Sequence, residues 1–243
     1  MSEKVVGILG GMGPAATCDL FSRIIAQTNA KSDADHIHVI IDSNCKIPDR
    51  TKAILYQGVS PLHAMIKSAR QLESIGAGIL IIPCITAHYY IESLQQEINI
   101  PIVNALQLID DHLKSELSSI KAIGVLATSG TKQTQLLQRS IQEKALIFPD
   151  PRTQEHELMD IIYGNNGIKA GNQSPEVINR IVGVIDKLKQ QGAEGVLAGC
   201  TEISLVLKQS HLDLPLIDPL DLLAQKSIDF ALPFNSPELG LVL

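Results

Sequence analysis

The sequence predicts an α/β protein of two similar domains, each a small parallel sheet flanked by helices, and three observations carry that prediction. Short apolar runs alternate with longer helical patterns along all 243 residues, and strand–helix alternation means parallel strands joined by right-handed crossovers. Hydrophobic residues make up 45% of the chain but aromatics only 3%, with no Trp, so the core is Ile, Leu, Val and Ala, which suits buried strands covered by helices. Finally, the chain repeats itself.

Taken in order, Val5–Leu9 reads as the first strand, followed by a Gly-rich turn and a helix. Ile37–Asp42, Gly78–Ile82 and Ile102–Val103 complete the first set of strands. Leu62, Met65, Ile66, Ala69 and Leu72 fall at helical spacing ahead of the strand at Gly78. Ala122–Leu126, Leu146–Phe148, Gly195–Ala198 and Leu216–Ile217 form the second set, and Asn165–Ser174 is the most loop-like interior stretch.

The repeat aligns Gln71 to Cys84 with Lys187 to Cys200 without a gap, so that Gly76-Ala77 meets Gly192-Ala193 and Cys84 meets Cys200. One residue out of that register, Gly7-Ile8-Leu9 matches Gly124-Val125-Leu126, and Gly13 falls on Gly130. Ile100-Pro101-Ile102-Val103 has its counterpart in Leu214-Pro215-Leu216-Ile217. A period this long marks a duplicated domain, where a solenoid would repeat within 50 residues.

Composition excludes several functions. The formal charge is −6 without Lys/Arg clustering, which argues against nucleic acid and anionic membrane as partners. The longest apolar region, Ile79–Ile91, is interrupted by Pro83 and His88 and falls short of the roughly 20 residues of a membrane helix. The start lacks the apolar length and cleavage site of a signal peptide, so a cytoplasmic location is expected. Four cysteines, Cys18, Cys45, Cys84 and Cys200, make neither a disulfide scaffold nor a CxxC zinc pair.

Cys84 and Cys200 each follow a buried strand at its carboxyl end, the edge that faces the ligand crevice in open parallel sheets. Thr86 and Thr201 suit N-caps of the helices that follow, and a thiol at a helix N-terminus has its pKa lowered. Two halves related by a pseudo-twofold axis would bring the thiols face to face across a cleft. One thiolate could then take a proton from one face of a carbon while the other thiol returns one to the opposite face. Cys18 and Cys45 have no matched partner and read as structural.

Several ordered motifs resemble those of the aspartate/glutamate racemase family, the cofactor-independent two-cysteine racemases. They are Gly10-Gly11-Met12-Gly13-Pro14-Ala15-Ala16-Thr17, Ile47-Pro48-Asp49-Arg50-Thr51, Pro83-Cys84-Ile85-Thr86-Ala87-His88 and Gly199-Cys200-Thr201-Glu202, with Ile161-Ile162-Tyr163 ahead of Ile168-Lys169-Ala170-Gly171. The resemblance implies racemisation of an acidic amino acid, aspartate before glutamate, with Cys84 and Cys200 as the acid/base pair. It implies that Arg50 holds a substrate carboxylate, Lys169 adds a second positive charge and Asp49 orients its neighbours. Met12 would floor the pocket, Thr128 would donate a hydrogen bond, and Ile85, Thr86 and Thr201 would border the substrate. No flavin, pyridoxal phosphate or metal is implied, the expected partner is the amino-acid substrate, and a homodimer is expected. The resemblance also carries residues 218–243 back onto a first domain of 1–104, leaving 105–217 as the second.

Two departures stand out. Ile85 occupies the place of a family Asn, and Gly164-Asn165-Asn166-Gly167 replaces a more acidic helical stretch. His88 reads as a packing histidine or a catalytic one. Gly11, Gly13 and Ala16 also match a dinucleotide-binding turn with Asp42 as its acid, but Pro14 removes an N–H where a pyrophosphate would need it. A racemase-like enzyme of altered substrate range, such as a hydantoin racemase or maleate isomerase, and a non-catalytic amino-acid binder are the remaining readings.

Overall fold

The computed structural model describes residues 4–232; the end of the expected first domain, 233–243, lies outside the described residues. The first half runs β1 (Val6–Gly10), α1 (Pro14–Gln27), β2 (Val39–Ser43), α2 (Arg50–Leu55), α3 (Leu62–Ser74), β3 (Ile79–Ile81), α4 (Ile91–Gln95) and α5 (Ala105–Ser115). The second runs β4 (Ala122–Val125), α6 (Ser129–Gln133), α7 (Leu136–Ser140), β5 (Ala145–Ile147), α8 (Pro151–Thr153), α9 (Met159–Tyr163), α10 (Pro175–Gln190), β6 (Gly195–Leu197), α11 (Ile203–Val206), β7 (Leu216–Ile217) and α12 (Pro219–Ala231). The sheets have the orders β2-β1-β3 and β5-β4-β6-β7, and every ladder is parallel.

The predicted strand Ile102–Val103 is a single bridge, Ile102 to Leu80. Leu80 N–H donates to the Pro101 carbonyl and Val103 N–H to that of Leu80. Pro101 brings no N–H of its own, and Asn104 turns the chain straight into α5 by capping Leu106 N–H. β7 repeats the pattern after Pro215, and Asp218 caps α12 in the same way.

The duplication extends to backbone detail. Gly76 and Gly192 end α3 and α10 with φ of 103° and 96°, a left-handed turn that a side chain would strain. Ala77 N–H and Ala193 N–H then donate to the carbonyls of Leu72 and Leu188. Gln95 Nε2 donates to the carbonyls of Ile98 and Ile100 while its Oε1 accepts from Ile102 N–H; Gln209 does the same with Leu212, Leu214 and Leu216.

The last helix of each half packs on the opposite half: α12 lies on α1, α5 lies on α7, and the two meet each other. Arg23 of α1 fastens the first contact with ion pairs to Asp218 and Asp221 at 2.7 and 2.8 Å. One continuous core cluster consequently draws on β1, α5, β4 and α12 together. No described helix is long and apolar enough to cross a membrane.

Candidate active site

Within each sheet the parallel strands release their chain at one edge, and residues that follow β1 and β3 meet residues that follow β4 and β6 there. The first turn is shaped by its own packing. Gly11, at φ 85°, lies where a Cβ would run into the Asn44 backbone, and its N–H donates to Thr17 Oγ1 at 2.9 Å. Protein atoms therefore occupy the close approach that the dinucleotide reading would give to a pyrophosphate.

Cys84 and Cys200 emerge from β3 and β6 at matching positions and line one small chamber, with exposures of 7% and 5%. The chamber holds about 10 Å³, the room of a single water. Met12, Arg50, Ile85, Thr86, Thr128, Lys169 and Thr201 line it as well. Asp49 lies outside, on the wall of an adjoining open cavity of about 410 Å³ that shares Met12, Arg50, Lys169 and Glu202 with the chamber. Cys45 lies on that outer wall also, and Cys18 is exposed.

Arg50 is the first residue of α2, which Asp49 caps by accepting from Lys52 N–H at 2.7 Å. Its guanidinium donates Nη1 to the carbonyls of Pro48 and Ile47, at 2.9 and 3.4 Å, and Nη2 to that of Met12 at 2.8 Å. Nε is buried and unpartnered among the described residues. Burial works against the cation, but the neighbouring Cys84 and Asp49 outweigh it and raise the Arg50 pKa.

Lys169 sits in the single 3₁₀ turn, Ile168–Ala170, of the predicted loop. It pairs with Glu202 Oε1 and stands 5.3 Å over the Tyr163 ring. Burial lowers its pKa, yet Glu202 and Cys200 together raise it above the usual lysine range. The Cys200 thiol donates to the other oxygen, Glu202 Oε2, at 3.1 Å.

Hydroxyl groups close the chamber across the two halves. Thr86 Oγ1 lies 3.0 Å from Thr128 Oγ1 and 2.9 Å from Thr131 Oγ1, and Thr201 Oγ1 donates to the Pro83 carbonyl at 3.1 Å. Tyr163 donates its phenol to Thr51 Oγ1 at 3.3 Å, and burial pushes its pKa well up.

Two expectations are corrected. Thr86 and Thr201 cap no helix: the turn Ile85–Tyr90 and the helix α11 begin at Cys84 and Glu202 without side-chain caps, because both hydroxyls are turned to the opposite half. Nor is the Cys200 pKa lowered. Burial, then the Glu202 carboxylate, raise it well above the ordinary thiol value, with Lys169 opposing. The four-residue α11 has too small a dipole to reverse this.

The sequence reading omitted Glu202 and Tyr163 from the site. Both lie inside quoted motifs, and a carboxylate two residues beyond a thiol was the available signal for Glu202. Among the described residues, no group of three or more His, Cys, Asp or Glu is placed to hold a metal ion.

Against known proteins, a family model described as Asp/Glu/hydantoin racemase matches residues 9–227. The broad specificity amino-acid racemase RacX of Bacillus subtilis (strain 168) is 25% identical over 246 residues, covering 96% of this chain and 100% of that protein. The solved aspartate racemase of Picrophilus torridus superposes with a TM-score of 0.82 at 28% identity, over 94% of each chain. Glutamate racemase from Francisella tularensis subsp. tularensis SCHU S4, solved in complex with D-glutamate, shares the fold with a TM-score of 0.63 at 14% identity, over 93% of this chain and 80% of that one.

Proposed function

The chain belongs to the Asp/Glu/hydantoin racemase family, and from that membership we propose that it interconverts the enantiomers of a free amino acid by a two-thiol mechanism, with acid and base both supplied by the chain. The observation that carries this reading is that Cys84 and Cys200, matched in the repeat, line one buried chamber.

Arg50 stands beside Cys84, so Cys84 is assigned the role of base and takes the α-proton. Cys200, held as a thiol by burial and Glu202, delivers a proton to the opposite face. Proton and electron pair balance: the C–H pair stays on the carbon as a carboxylate-stabilised carbanion and then forms the new C–H bond. In the reverse direction the roles exchange. Arg50 Nε and Lys169 are the cations available to the substrate, and they favour an acidic amino acid, aspartate first. An amino acid does not fit in about 10 Å³, so substrate enters from the outer cavity when the two halves part.

The same reading divides the chain into 1–104 with 218–243, and 105–217. The packing of α12 on α1 and of α5 on α7 supports that division. The test is incubation of dialysed, metal-free protein with single L- and D-amino acids in deuterated water, scoring chirality and α-deuterium. Racemisation with deuterium gain supports the reading; activity that returns only with pyridoxal phosphate overturns it.

A further inference from the structure

His88 lies beside the site, yet neither of its ring nitrogens is free to act in proton transfer. The ring is 2% exposed. Ala105 N–H is directed at Nε2 across 3.0 Å. A backbone amide is only a donor, so Nε2 accepts, and the proton of the neutral ring sits on Nδ1. Nδ1–H therefore donates to the Cys84 carbonyl at 2.9 Å. A charged ring would set a second N–H against that of Ala105, and burial pulls the pKa down in the same sense.

Both ends of this bridge are informative. One is the peptide that carries Cys84; the other is the first residue of α5, the helix that crosses to the second half. The repeat has the same tie in different chemistry. Ser204 stands to Cys200 as His88 stands to Cys84, and its hydroxyl donates at 2.7 Å to Asp218 Oδ1, the N-cap of α12. In both halves a side chain one helical turn past the cysteine fastens that loop to the start of the helix that crosses over.

We propose that His88 is the positioning residue for Cys84: a neutral, Nδ1-protonated imidazole that fixes the Cys84 peptide against α5 and so aims the thiol into the chamber. The inference rests on the two-thiol reading. It gives His88 no proton to exchange with substrate.

The tautomer is read directly in the wild-type protein by ¹⁵N NMR of labelled histidine. A neutral Nδ1–H ring is expected, and a neutral Nε2–H ring or a cation at neutral pH overturns the proposal even where a variant does not fold. Two substitutions then separate the ends of the bridge. His88→Asn keeps an amide donor in the place of Nδ1, whereas the longer His88→Gln places its amide at Nε2, where the carbonyl can accept from Ala105 N–H, and leaves the place of Nδ1 empty. His88→Gln should lower kcat by about 10- to 100-fold at nearly unchanged KM, the penalty of a small displacement of a reacting group. His88→Asn should retain most of kcat. Proton transfer at Cys84 alone is slowed, so the ratio of the primary α-deuterium isotope effects in the two directions should change from its wild-type value in His88→Gln. Loss of rate with that ratio unchanged, or a kcat within twofold of wild type, overturns the proposal. If instead Cys84→Ser and Cys200→Ser each racemise fully, it is the two-thiol reading that has failed.

Discussion

The Cys200 thiol donates to one oxygen of Glu202 across 3.1 Å while Lys169 holds the other oxygen of the same carboxylate. Cys200 therefore has an acceptor that favours its protonated form and, beyond it, a cation ready for the thiolate.

Glu202→Gln should let Cys200 ionise at lower pH, because burial remains but the carboxylate that also raises its pKa is gone. Thiolate absorbance of a variant with Cys18, Cys45 and Cys84 changed to Ser would show the shift. The folded thiol titrates above the unfolded one, so native protein holds its proton longer and stability falls as pH climbs past about 8.5. That fall should be shallower in Glu202→Gln than in wild type. An unchanged or raised Cys200 pKa would show that Glu202 does not govern the thiol.

Lys169→Met should destabilise the fold by about 3 kcal/mol, the low end for breaking a buried pair, since Glu202 is left charged and buried while Lys169 itself is partly exposed. Adding Glu202→Gln should recover much of that loss in thermal melting without restoring racemisation. A double variant as unstable as the single would mean the lysine stem, and not its charge, supports the turn.

Much of the fold was legible because the repeat is literal where the backbone leaves no choice. Gly76 and Gly192 are glycine because both turn left-handed after a helix. Gln95 and Gln209 went unread, since each is isolated in sequence and the likeness lies in the backbone groups they hold. Nine of the ten proposed site residues line the chamber, all but Thr128 from the quoted motifs, and Asp49 lies just outside. Less legible was direction. Thr86 and Thr201 stand where caps would, but their partners Thr128 and Pro83 come from the other half. Glu202 is adjacent in sequence, yet only the folded loop shows its carboxylate aimed at a thiol instead of solvent.

Ile85 is 1% exposed and belongs to the main core cluster, so the pocket has packed around the side chain that stands in place of a family Asn. Ile85→Asn should cost about 2–4 kcal/mol of stability, because it trades buried apolar surface for an amide with little to bond. It should also give no gain in kcat/KM on aspartate or glutamate. A variant that melts no lower and turns over acidic substrates faster would show that the polar pocket is still there.

Arg50→Lys should lower kcat/KM by about 10- to 150-fold, as expected for lost charge-assisted bonds. An ammonium cannot reach the Met12, Ile47 and Pro48 carbonyls and still present an N–H to the chamber. The loss should be larger for aspartate than for alanine. Equal losses across substrates would move Arg50 from the side-chain carboxylate to the α-carboxylate.

The central claim is that two thiols serve opposite faces of one carbon, and it is tested most directly by following chirality and α-deuterium together in deuterated water for Cys84→Ser and Cys200→Ser. Neither variant should racemise, while the thiol that remains in each should exchange the α-proton of one enantiomer and leave its configuration intact. Full racemisation by either single variant would contradict the account.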